Sequence, residues 1–258
     1  MGQRRVAVGK VLGGSASWRL GVKLYGRPGQ AAFECGRHYS KINQATEKIF
    51  MDQINEEISR SIQINQQLAG MRQRHSYPQN HKNDLLMAYF DIISEHHEAI
   101  SLLIKQNLIG SGFALVRPIA ETLYRAAWVN ACATIPQLAR LVIDDKFDFP
   151  KDMIEKIDAA YSTQGFFQNL KRDTWKSMCS YAHSGLLQIT RRFGGKDGYV
   201  GPNYSEAEIL EALRATTTML ILIAILFFKS TGCDKEASEV EQIGLSYGST
   251  LKSTNLTR

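Results

Sequence analysis

Apolar residues recur at helical spacing along most of this chain. From Met51 to Met71, Ile54, Ile58, Ile62 and Leu68 form an interrupted stripe among Gln, Asn and Glu. A polar run broken by Pro78 follows at 72–83 and reads as a connection. Leu86, Phe90, Ile93, His97, Ile100, Ile104 and Leu108 then recur at three and four, which predicts a helix over 84–108. Gly110 and Gly112 open the next, over 112–132, which carries apolar residues on every side; a helix of that kind is buried, and the chain is expected to be organised around it. Pro118 implies either that this helix begins there, with proline in its first turn, or that it is kinked. Thr134-Ile-Pro136 and Phe149-Pro150 introduce short helices, so 133–171 should lie across one end of a bundle. Trp175, Met178, Cys179, Ala182, Leu186 and Ile189 share a stripe over 173–193. Ser205 and Glu208 make a capping box for a last long helix, over 205–230, which becomes wholly apolar at Met219–Phe228 and stops at Gly232.

With no strand alternation, these periods predict an all-α bundle of about five long helices. A short helix near 236–245 and a Ser/Thr-rich flexible tail over 248–258 complete it, so the bundle domain is expected to span 51–247. The ten apolar residues from Met219 rise only about 15 Å, half the hydrocarbon thickness of a bilayer, and predict a core helix with no membrane span.

Charges inside an apolar helix are costly unless paired. Arg117, Glu121 and Arg125 follow one another by single turns of the 112–132 helix, beside Phe113, Tyr124 and Trp128. They predict a buried or cleft-lining polar cluster with partners elsewhere in the chain. The candidate partners are in Ser180-Tyr181-Ala182-His183-Ser184-Gly185, an imidazole among hydroxyls at the edge of a core-facing stripe. If Arg117, Glu121, Tyr181, His183 and Ser184 meet, Glu121 can orient the imidazole, Arg117 can hold a ligand anion and His183 can exchange protons near neutral pH. The competing reading is that Arg117 and Glu121 satisfy each other and fix helix register in a non-catalytic interaction module.

Composition alters this picture in one place. The net charge of +6 suggests nucleic acid, yet residues 1–50 hold 9 Lys/Arg against 2 Asp/Glu; taking these from 31 and 25 leaves 22 and 23 for the rest. The body is therefore nearly neutral and gives a general basic-surface argument no support. Residues 1–50 are glycine-rich without a hydrophobic period, so they are expected to be disordered or to lie upstream of the true start at Met51. Cys35, Cys132, Cys179 and Cys233 form no C-x-x-C pair, which predicts reduced thiols in the cytoplasm and neither metal nor cofactor. Glu95-His-His-Glu98 reads as a solvated helix face, and Gly194-Gly-Lys-Asp-Gly198 as a turn and not a P-loop. Arg191 and Arg192, beside Phe193, are the compact basic feature of the body and the candidate phosphate contact, or else a solvated helix end.

Arg-Pro-Ile-Ala-Glu-Thr at 117–122, the aromatic helix through Trp128, Trp175, and Tyr-Ala-His-Ser-Gly at 181–185 resemble uncharacterised bacterial helical families related to the HEPN superfamily, over about Asp84–Phe228. The resemblance implies a four- to five-helix bundle, a homodimer, a nucleotide or RNA ligand, and metal-independent ribonuclease activity in an antiphage or toxin–antitoxin setting. Such enzymes carry Arg, four to six residues, then His, on a late helix. Here the only pair at that spacing is Arg74 with His81, in the proline-broken connection, and the arginine before His183 is the distant Arg172.

Overall fold

A computed structural model of the chain describes residues 42–144, 147–193 and 200–255, with side chains between 52 and 251. The expected disorder of 1–50 falls outside it for residues 1–41; residues 42–50 are helical and belong to α1, Ile42–Arg74. The elements that follow are α2 (His81–Lys105), α3 (Ile109–Ala114), α4 (Val116–Ala131), α5 (Ile135–Leu141), α6 (Met153–Tyr161), α7 (Phe166–Ala182), α8 (Leu186–Thr190), α9 (Glu206–Thr231) and α10 (Asp234–Asn255). The fold is all-α, and the described residues contain no strand beyond an isolated bridge between Phe193 and Val200.

The helix at the centre is α9, not the Arg117 helix that the sequence favours. It packs against α1, α2, α4 and α10, and every residue from Met219 to Phe228 is buried. Although α9 is long and apolar enough to cross a membrane, 72% of its apolar window is covered by the rest of the fold. Both predicted ends hold: Ser205 and Glu208 close the capping box, and Gly232 leaves the helix at φ 79°, in the left-handed region glycine adopts at least cost. Beyond Gly232 the chain is helical through Asn255, so α10 replaces the short helix and the tail predicted from 248. Its buried side, Ala237, Val240 and Tyr247, is too sparse among serine, threonine and glutamate to register as a period.

α4 buries Ile119, Leu123, Tyr124, Ala127 and Trp128, while Arg125 is exposed, its guanidinium carbon 5.1 Å from the centre of the Phe149 ring. The helix is not continuous from 112: α3 ends at Ala114 and α4 restarts at Val116, which puts Pro118 in a first turn, where its missing N–H leaves no internal bond unmade. The expected short helices across one end are α5 and α6, and Phe147 and Phe149 close over Trp128 with ring centroids 5.9 and 5.4 Å away. Asp158, buried at the end of α6, accepts from the backbone N–H groups of Phe167 and Gln168 at 3.0 and 2.9 Å and from the Thr163 hydroxyl. It caps the start of α7 from a distance and complements that helix's dipole.

A polar group lies inside the bundle as well. Glu57 on α1, 2% exposed, accepts from Tyr247 Oη at 2.6 Å and faces Arg60 and Arg214, each at 3.4 Å. Nearby on α9, Thr217 Oγ1 donates to the Leu213 carbonyl at 2.8 Å and meets Ser61 Oγ at 2.8 Å and His97 Nε2 at 3.0 Å. Because the threonine proton goes to Leu213, the imidazole donates from Nε2 and its unpartnered Nδ1 is the bare acceptor, the less costly atom to bury. Full burial lowers the His97 pKa to about 4, so the ring is neutral. This corrects the solvated reading of Glu95-His-His-Glu98: Glu95 and Glu98 are exposed, but His97 is core.

Candidate functional site

Arg117, Glu121 and His183 do meet. Arg117 stands in the first turn of α4, where the helix dipole disfavours a cation, and it is held by side chains. Its Nε donates to Glu121 Oε1, one turn on, at 2.8 Å; its NH1 is in direct contact with His183 Nε2; and its guanidinium carbon lies 5.0 Å from the centre of the Trp175 ring. The Lys171 ammonium lies 5.4 Å from the same ring, so two cations gather on one half-buried indole beside the Glu121 carboxylate. The Arg117 and Glu121 side chains are 21% and 30% exposed, and His183 is exposed. The cluster therefore opens to solvent and is not a buried pair.

The helix predicted over 173–193 is broken at this point. α7 stops at Ala182, His183 is its last capping residue, and Ser184 takes a left-handed conformation at φ 52°. Gly185 then folds back so closely that its N–H donates to the Ser180 carbonyl at 2.6 Å; a Cβ there would sit 2.7 Å from Ser180 Oγ. Ser180 Oγ in turn accepts from the Leu187 N–H at 2.9 Å and starts α8. Ser180, Ser184 and Gly185 thus make the corner that turns His183 towards Arg117. Ser184 contributes backbone, not a hydroxyl at the cluster.

Tyr181 points elsewhere. Its ring meets Phe113 edge-on at 5.2 Å and Tyr204 at 6.2 Å, and burial, with Glu208 close by, pushes its phenol up to about 12. Arg191, the first candidate phosphate contact, is engaged within this second group: Nε and NH2 reach Glu208 Oε1 at 3.0 and 2.5 Å, while Glu208 Oε2 accepts from the Ser205 N–H at 2.8 Å. Arg192 is half-buried against Gly110, where a Cβ would lie 2.9 Å from its NH2 and 2.8 Å from Tyr204 Oη. Of the seven residues singled out by sequence, three form the open cluster, Ser184 shapes its corner, and Tyr181, Arg191 and Arg192 belong with Tyr204 and Glu208.

A cleft of about 120 Å³ runs between α7 and α9, lined by Phe113, Val116, Leu170, Thr174, Met178, Tyr181, Glu211 and Met219 among others. Val116 and Thr174 are chain neighbours of Arg117 and Trp175, so its wall is continuous with the elements that carry the cluster. Burial, and then the Glu208 carboxylate, raise the Glu211 pKa. Sequence reasoning missed Lys171 and the platform role of Trp175; the available signal was their four-residue spacing, which puts both on one side of α7. It also missed Glu208 as the partner of Arg191, because Glu208 was already explained by its capping box.

Neither the curated proteins nor the solved structures contain a match to this chain. A family profile described as a family of unknown function (DUF6988) matches residues 90–253, well over half the chain, and takes in Arg117, Glu121, Lys171, Trp175 and His183. The chain belongs to this family of unknown function, DUF6988.

Proposed function

We propose that this protein is a HEPN-like helical domain that binds a phosphate-bearing ligand, an RNA or a nucleotide, at the Arg117–His183 cluster. The observation that carries the reading is the excess of positive charge on a half-buried aromatic platform: Arg117 and Lys171 share Trp175, and among the described residues Glu121 is the carboxylate paired with Arg117. A cation already positioned by a carboxylate and an indole loses little side-chain freedom on meeting an anion, and an indole face also stacks a base. Glu121 fixes the Nε edge of the guanidinium and His183 contacts NH1 from the corner after α7. In a catalytic version, Arg117 holds the phosphodiester and His183 moves the proton, without a metal.

The test is titration of a fluorescently labelled single-stranded oligoribonucleotide, and separately of a mononucleotide, followed by anisotropy at two salt concentrations. Arg117→Ala and Trp175→Ala should each weaken binding about tenfold or more while the fold persists, and added salt should weaken wild-type binding. Equal affinity in wild type and Arg117→Ala would refute the reading. RNA cleavage in the presence of a chelator, lost in His183→Ala, separates catalysis from binding alone. The second reading, an interaction module with a structural cluster, has the 2.8 Å Arg117–Glu121 pair in its favour; it requires that removing either charge lower the melting temperature and leave RNA binding unchanged.

A further inference from the structure

His75 lies in the connection between α1 and α2; Cys233 precedes α10 and Glu236 is in that helix's first turn. One donor atom from each lies within 4.8 Å of the others, and His75 Nε2 is already 3.2 Å from Glu236 Oε1. From this geometry we infer that His75, Cys233 and Glu236 form a site for one divalent transition-metal ion, with Zn²⁺ the best fit and water in the fourth position.

The donor set is the first argument. Imidazole, thiolate and carboxylate together suit a borderline-soft ion such as zinc, and three protein ligands with one open position is a recurrent zinc arrangement. Distances are the second. Bonds of roughly 2.0–2.3 Å at tetrahedral angles place ligand atoms about 3.3–3.6 Å apart. The His75–Glu236 separation, 3.2 Å, lies just below that range, and the 4.8 Å limit on the distances to Cys233 leaves at most about 1 Å of closure to its side chain. All three residues are half-buried, so an ion can enter.

The supporting shell is the third argument. Gly232 at φ 79° turns the chain out of α9, and the Cys233 N–H donates to the Phe228 carbonyl at 2.9 Å, which fixes where the thiol emerges. Thr231 Oγ1 stands 3.5 Å from Cys233 Sγ and can turn its proton to a thiolate. The His75 ring meets the fully buried Phe228 edge-on at 6.0 Å, which orients the imidazole. A plain His–Glu ion pair accounts for two of these residues and leaves the thiol's place unexplained. The expectation of no metal rested on the missing C-x-x-C pair; Cys233-x-x-Glu236 is a short pair of another kind, completed by a histidine distant in sequence, from the α1–α2 connection. A bound ion would clip the α1–α2 connection to the α9–α10 turn.

The test uses the full chain, stripped with a chelator and titrated with Co²⁺ alone. We expect one equivalent per chain, a near-ultraviolet thiolate-to-cobalt charge-transfer band, displacement by Zn²⁺, and a Zn²⁺-dependent rise in melting temperature. Cys233→Ser should abolish the band, whereas Cys132→Ser and Cys179→Ser retain it. His75→Gln and Glu236→Gln should each weaken Zn²⁺ binding about tenfold or more, at least the effect of losing a supporting contact. Absence of the band from wild type at millimolar Co²⁺, or its survival in Cys233→Ser, overturns the site. Should Cys233→Ser fail to fold, His75→Gln decides, since it lies in a connection: unchanged Zn²⁺ affinity there also overturns it.

Discussion

Two polar groups occupy this bundle under opposite conditions. The group around Glu57, Thr217 and His97 is buried and draws on α1, α2, α9 and α10; the group around Arg117 is open and draws on α4 and α7 alone. Inside the core water supplies no partner, so all but the bare Nδ1 of His97 in this group are paired within the protein, and the partners come from wherever the fold brings them. At the surface a single one-turn pair and one contact across a corner suffice, since solvent completes the rest. The buried group should therefore govern stability, and the open one binding.

The largest expected effect that tests this contrast is on pH. His97 has a folded pKa of about 4, below the unfolded 6.5, so as pH falls the unfolded chain takes up the proton first. The stabilisation is intact above about 6.5 and is lost progressively down to about 4, a change of about 3 kcal/mol. Denaturant melts at pH 7 and pH 4 should differ by this much more in wild type than in His97→Gln. Equal differences would mean that the ring is not held neutral in the core.

Next in size is Tyr247→Phe, which removes the donor 2.6 Å from a carboxylate that is 2% exposed. Leaving a buried charged acceptor short of a partner costs about 1.5–3 kcal/mol, read as a drop in the urea midpoint with an unchanged slope. A loss below about 0.5 kcal/mol, within the usual range for surface changes, would show that Glu57 is solvated.

On the open side, Arg117→Ala and Glu121→Ala should each cost no more than about 1 kcal/mol, because both side chains keep contact with water. The double change Arg117→Met with Glu121→Leu should be close to additive. Single losses of about 3–5 kcal/mol with strong recovery in the double would mark a buried pair and erase the contrast.

The smallest effect concerns the N-terminus. A chain beginning at Met51 keeps every buried core residue among the described side chains, the first of which is Ile54. Its melting transition should be as cooperative as that of the full chain and lie within about 1 kcal/mol of it, the scale of a surface change. A broad, non-cooperative melt of the short chain would show that α1 needs the residues before Met51.

Legibility followed the same division. Arg117 and Glu121 were legible as a site because two charges one turn apart in an apolar helix break a local rule, and His183 because an imidazole sat among hydroxyls beside a core stripe. His97 also sat on an apolar stripe, yet the acidic neighbours Glu95 and Glu98 drew it into a surface motif. Glu57, Thr217 and Tyr247 broke no local rule at all. Each is an ordinary residue on an amphipathic helix until the other helices are packed against it.

Helical periods, caps and stops were written locally: the all-α class, the Ser205–Glu208 box, the Gly232 stop and the core character of Met219–Phe228 depend on residues within a few turns of one another. Tertiary structure alone decided that α9, not α4, is central, that Arg191 turns to Glu208 and Tyr181 to Phe113, and that His75 reaches Cys233 and Glu236. The physical reason is range. A hydrogen-bonded turn couples residues three or four apart, so sequence spacing reports it. Which side chains from distant helices share a buried or ligand-competent space depends on how the helices pack, and no spacing within a single helix encodes that.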